Sequence, residues 1–195
     1  MSDPTRVPEY DENSRYTYAD YLKWEGLERY QLINGKVFNI PSSSVVHQAL
    51  LMELSMQFAD WLKGKPCQVF AAPLDVRLFP KEDDSDDTVV QPDLLVVCDK
   101  EKLSKGYVNG APDLVVEIVT PLSTYYEFFL QFHGYLEAGV REYWVIDPEG
   151  QKMQVNIYEN GHYISSVHKG NESVPVNILP GLNITLGSLW EAAPA

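Results

Sequence analysis

The chain has 195 residues, with 28 acidic against 15 basic side chains and a formal net charge of −13. That length accommodates one domain with a sizeable core, and the charge argues against general adhesion to a nucleic-acid backbone, which draws on clustered Lys and Arg. No apolar run reaches the roughly 18 residues needed to cross a bilayer, and the polar start from Met1 to Tyr16 reads as neither signal peptide nor anchor.

In chain order, residues 1–15 read as a flexible N-terminal arm and 16–195 as a single domain. Thr17 to Leu27 reads as a short helix capped by Thr17, with Tyr18, Tyr21 and Leu22 on one face. Arg29 to Ile40 reads as a hairpin, because two alternating apolar runs flank Asn34-Gly35. Ser42-Ser43-Ser44 opens a helix from Val46 to Lys63, in which Val46, Leu50, Leu54, Phe58, Trp61 and Leu62 recur at helical spacing until Gly64 and Pro66 stop it. The period then changes. Gln68–Ala72 and Asp75–Phe79 read as strands, and Lys81–Asp87 as a solvated acidic loop. Val89–Cys98 and Asp113–Val119 read as apolar strands, joined by a linker with a short turn around Glu101–Lys105. Ser123 or Thr124 caps a helix to Ala138, Gly139 closes it, and Glu142–Ile146 forms the next strand before the Asp147–Gly150 turn. A terminal hairpin follows over Met153–Glu159 and His162–Val167, then a last helical turn at Leu186–Ala192. Cys67 and Cys98 have no metal-type spacing and read as two buried thiols in a reducing cytoplasm. The expected class is α/β with α+β character: a central mixed sheet flanked by helices, with N-terminal and C-terminal hairpins.

The stretch from Gln91 to Pro148 carries the chemistry. Asp93 in Gln91-Pro92-Asp93-Leu94 and Glu117 in Asp113-Leu-Val-Val-Glu117-Ile118 sit at the edge of, or inside, β-branched apolar runs. A carboxylate there is costly to bury unless something pairs with it. A divalent metal is an effective partner for two converging carboxylates, so the segment reads as a metal site on neighbouring strands.

Seven motifs in order carry a further resemblance. They are Tyr30–Gly35, Ser42–Gln48 with His47-Gln48, Leu74–Leu78 with Asp75, Gln91–Leu94, Ala111–Ile118, Tyr135–Val140, and Glu142–Pro148. In this combination the chain resembles the Uma-two family of restriction-endonuclease-like proteins, a branch of the PD-(D/E)XK nuclease superfamily, over residues 16–190. The resemblance implies a restriction-endonuclease-like core and a phosphodiesterase site using Mg²⁺ or Mn²⁺. It implies Asp93 and Glu117 as metal-binding acids, the Ile118 carbonyl as a further ligand, and Asp75 as either an auxiliary acid or the wet face of an edge strand. On the following helix the family carries an Asp-x-x-x-Lys pair; the ungapped match puts Glu127 at the Asp and Gln131 at the Lys. A lysine there would position the attacking water and offset developing negative charge, and its loss costs about two or more orders of magnitude in rate. The family's usual first-hairpin Glu is Gln31 here. The metal-binding half of the motif is thus intact and the water-activating half altered.

Other prominent residues have plainer readings. Asp113 reads as a strand-start residue, His47 as a capping or packing histidine, Trp144 as core, and Tyr125–Phe132 as core packing or a dimer face. The expected function is a Mg²⁺-dependent endonuclease acting on DNA, impaired by Gln131. The alternative is a catalytically degenerate nuclease-fold protein serving as a binding or assembly module. A homodimer is the expected assembly, since cutting two strands calls for two sites, with a cytoplasmic location and no membrane partner. No Gly-rich phosphate loop, Cys/His metal set or nucleophile elbow is present to favour another enzyme class.

Overall fold

Asn34 and Gly35 both adopt positive φ, 50° and 73°, as a two-residue hairpin turn demands. This turn joins β1 (Arg29–Ile33) to β2 (Lys36–Ile40), after a single-turn helix α1 (Tyr18–Tyr21). The computed structural model describes residues 13–25, 29–119 and 125–193, and for 125–127 the backbone alone. The expected arm over 1–15 therefore lies, up to residue 12, outside the described residues, as does the Ser123 and Thr124 cap. The helix expected over Thr17–Leu27 is shorter than expected: it ends at Tyr21, and residues 22–25 are turn and extended chain.

Helix α2 (Val45–Leu62) comes next, its Ser44 N-cap oxygen accepting from the His47 N–H. Then follow β3 (Gln68–Ala71), β4 (Asp75–Arg77), β5 (Val89–Val90), β6 (Leu94–Val97), β7 (Tyr107–Asn109) and β8 (Leu114–Ile118). Helix α3 (Tyr125–Ala138) leads to β9 (Glu142–Asp147), and the hairpin β10 (Lys152–Glu159) and β11 (His162–Lys169) follows. The chain ends in β12 (Ser173–Pro175), β13 (Asn183–Thr185) and α4 (Leu186–Ala192).

The larger sheet has the order β11-β10-β9-β8-β6-β3 and the smaller β2-β1-β5-β4-β7. Both are mixed: β8 and β9 run parallel across the α3 connection, and β4 and β7 run parallel. Alternation along β6 and β8 sorts the faces of the larger sheet. Leu94, Val96, Leu114, Val116 and Ile118 pack with Leu50, Leu54 and Phe58 of α2, while Leu95, Val97 and Val115 pack with Tyr135 of α3. Being buried on both faces, these strands read as unbroken apolar runs. No helix among the described residues is long and apolar enough to cross a membrane.

Three further expectations change. The strand expected over 89–98 is two strands in two different sheets, β5 in the smaller and β6 in the larger. Proline lacks the N–H a continuous ladder needs, and the chain changes sheets at Gln91-Pro92-Asp93. Second, Cys67 and Cys98 are disulfide-bonded rather than two free thiols. The antiparallel register Gln68↔Val97 sets them opposite one another one rung further, with Cα atoms 3.9 Å apart. Third, the acidic loop is not wholly solvated. Asp86 is 1% exposed and pairs with Arg77, itself 4% exposed, which also bonds Asp84 at 2.9 Å. The same loop accepts the Tyr18 and Ala19 N–H groups and, through the Asp87 carbonyl, the Gly35 N–H at 2.8 Å, so it ties α1 and the hairpin turn to the sheet. The strands β7, β12 and β13 are too short to stand out as periodic runs in sequence.

Removing one partner of a buried ion pair strands the other charge. Asp86→Ala should therefore lower stability by about 3–5 kcal/mol, read as a reduced urea midpoint, whereas Asp83→Ala, on an exposed neighbour, should leave the midpoint nearly unchanged.

Candidate active site

Leu94↔Val116 is a rung of the antiparallel β6–β8 pairing, so one residue further Asp93 stands opposite Glu117. Directly opposed residues of an antiparallel pair project from the same face. For these two it is the α3 face, since they alternate with Leu94 and Val116, which face α2. Both carboxylates line a cleft of about 90 Å³, together with Ile118, Gln131, Gln31 and His47.

Each carboxylate is held by donors from distant parts of the chain. The Ile118 N–H donates to Asp93 Oδ2 at 2.7 Å, and His47 Nε2 lies 3.0 Å from Asp93 Oδ1. Because a carboxylate only accepts, that contact sets the imidazole proton on Nε2. His47 Nδ1 is buried and has no hydrogen-bond partner among the described residues. Tyr135, fully buried, donates its hydroxyl to Glu117 Oε1 at 2.6 Å. Burial first, and then the adjacent Glu117 charge, push the Tyr135 phenol well above its ordinary range, so it remains a donor. The Gln131 amide donates to Gln31 Oε1 at 3.1 Å and reaches Glu117 Oε1 at 3.5 Å.

The structure thus brings Asp93, Glu117, Ile118, Gln31 and Gln131 together, as expected from sequence. It does not bring Asp75 into the cleft. That carboxylate sits one hydrogen bond back, accepting from Gln91 at 2.8 Å and from the Tyr21 hydroxyl at 3.0 Å. Burial raises its pKa, while the Gln91 and Tyr21 hydrogen bonds work the other way. Glu127 lies on α3 where the backbone alone is described. Asp113 is a strand-start residue, accepting from the Cys98 N–H at 2.6 Å and paired with Arg141. His47 exceeds its expected capping role, since its ring touches Asp93. Gln91, known from the sequence only as part of the Gln91–Leu94 motif, also lines the cleft, as does Arg29, which was not singled out. A signal for Arg29 exists: it precedes Gln31 by two residues on one strand, and such residues share a face.

The donor chemistry suits a hard, hydrated cation. Two carboxylates are oxygen donors, and Mg²⁺ keeps several waters and needs only one or two carboxylates. A closed site of the structural-zinc kind needs four ligands, and no group of three or more His, Cys, Asp and Glu side chains converges for a metal among the described residues.

Residues 18–187 match the family described as "Uma2: Putative restriction endonuclease". The chain belongs to the Uma2 family. An uncharacterized protein of Synechocystis sp. is 25% identical over 110 residues, which is 55% of each chain, so the sequence spans about half the length of that curated relative. A crystal structure of "a putative nuclease belonging to DUF820" from Anabaena variabilis superposes with a TM-score of 0.74 at 21% identity, covering 91% of this chain and 98% of the other. The Uma2 chain described here therefore has the fold of that protein, the mixed α/β architecture expected of a restriction-endonuclease-like core.

A hydrogen bond to a charged group contributes about 1.5–3 kcal/mol. Tyr135→Phe keeps the packing of the ring and removes only the donor to Glu117, so it should lower unfolding free energy by about that amount in urea titration. Tyr163→Phe, whose hydroxyl donates to the neutral Val140 carbonyl, should cost less.

Proposed function

We propose that this Uma2 protein is a Mg²⁺-dependent nuclease that hydrolyses DNA phosphodiester bonds, slowed by the glutamine at position 131. The observation that supports this reading is the Asp93–Glu117 pair, opposed across two hydrogen-bonded strands and open to a cleft. When bound there, Mg²⁺ polarises a phosphoryl oxygen and lowers the pKa of a coordinated water. The chain's own residues do the rest. Asp93 and Glu117 supply anionic oxygens, with the Ile118 carbonyl beside them. His47 and the Ile118 N–H fix the Asp93 carboxylate, and Tyr135 fixes that of Glu117, so little reorganisation is needed when a cation is captured. Gln131 lies where a lysine would face the cleft, and it offers a neutral amide dipole instead. Cleavage of both strands of a duplex would use a homodimer.

A specific observation favours the second reading, a degenerate member that binds without turnover. The Gln131 amide nitrogen is committed to Gln31 and Glu117 within the protein, so its donor hydrogens are not free to stabilise developing negative charge.

Isothermal titration with Mn²⁺ should show binding that Asp93→Ala abolishes; equal binding by the variant would remove the carboxylates from the metal site. Gln131→Lys should raise plasmid nicking in Mg²⁺ by up to about two orders of magnitude. No gain, with Mn²⁺ binding intact, would leave the non-catalytic reading standing.

A further inference from the structure

The cleft has an acidic floor, and it also has a basic wall. Arg29, the first residue of β1, lines it. Its Nε donates to Gln91 Oε1 at 2.8 Å, and the Gln91 amide nitrogen donates in turn to Asp75 Oδ1 at 2.8 Å. Asp75 is further held by the Tyr21 hydroxyl at 3.0 Å. This chain of bonds grips the guanidinium by its inner nitrogen alone. Its charge also acts on the Asp75 carboxylate, but among the described residues Arg29 makes no direct ion pair and only its Nε donates a side-chain hydrogen bond.

That arrangement is suited to an oxyanion. A guanidinium presents a rigid fork that matches paired oxygens of a phosphate. Tethering Nε removes rotamer freedom that binding would otherwise cost. Ser42 and Ser43, on the approach to α2, line the same cleft, and the N-terminal end of this 18-residue helix adds partial positive charge. A phosphate ester is a ligand that satisfies both the carboxylate floor, through a cation, and the guanidinium.

We propose that Arg29 binds a non-bridging oxygen of the substrate phosphodiester and supplies, from the first hairpin, the positive charge that Gln131 cannot supply from α3. The proposal rests on the phosphodiesterase reading and adds the residue that holds its substrate. Gln91 and Asp75 are then positioning residues that aim Arg29, which gives Asp75 a role one step removed from the metal.

The test measures fluorescence anisotropy of a labelled short DNA duplex against wild type, Arg29→Gln and Arg29→Lys. It is run in EDTA and in Ca²⁺, with a parallel calorimetric titration of Mn²⁺ alone. Arg29→Gln should weaken duplex binding about tenfold and reduce the slope of log affinity against log salt by about one, with Mn²⁺ binding unchanged. Arg29→Lys should recover the salt slope and only part of the affinity, because it restores charge without the fork. Equal affinity and slope for wild type and Arg29→Gln, or a wild type that binds no duplex, would overturn the proposal. Loss of Mn²⁺ binding in Arg29→Gln would also overturn it, because it would make Arg29 a support of the carboxylates. The EDTA arm judges Arg29 independently of the metal, so a wild type that takes up no Mn²⁺ but loses duplex affinity on Arg29→Gln would refute the carboxylate site alone.

Discussion

The site depends on a single register. With Leu94 opposite Val116, Asp93 and Glu117 meet on one face of the larger sheet, under α3. Side chains alternate with a period of two, so a slip of one residue would send Glu117 to the face packed by α2. That face is filled by leucines and phenylalanine, where an unpaired carboxylate is costly. The apolar residues on both faces of β6 and β8 thus hold the register that the chemistry needs.

The second constraint is the change of sheet at Gln91-Pro92-Asp93. Because β5 belongs to the smaller sheet and β6 to the larger, the tripeptide between them spans the junction. Gln91 reaches back to Asp75 and Arg29, and Asp93 reaches forward to Ile118 and His47. The cleft is therefore a seam between two sheets. Its acidic floor belongs to one and its basic wall to the other. The buried Arg77–Asp86 pair anchors the acidic loop, whose backbone carbonyls in turn hold α1 and the hairpin that carries Arg29 and Gln31.

Carboxylates placed at such a seam need neighbours that tolerate charge. Asp93 has a backbone N–H and an imidazole; Glu117 has a buried phenol and an amide. These donors come from α2, β8 and α3, the first of them more than fifty residues before the other two. The sequence resemblance placed a lysine at position 131, beside them. Here the Gln131 amide nitrogen donates to Gln31 instead, a contact between two neutral side chains.

Much of this architecture was legible locally. The Asn34-Gly35 turn, the apolar period of α2, the stop at Gly139 and the two strand-edge acids depend on φ preferences and periodicity that act over a few residues. The motif order was enough to anticipate the fold and to name Asp93, Glu117 and Gln131 as neighbours. Other features have no local signature. Cys67 and Cys98 become partners only through the β3–β6 register, and Asp86 becomes buried only because Arg77 lies beneath its loop. His47 meets Asp93, and Arg29 enters the cleft, only once two sheets and a helix are packed. Neighbouring residues could determine which elements form and which acids stand at their edges. Which side chains then face each other was decided by the tertiary structure, because strand register and sheet junctions are set by burial summed over the whole core.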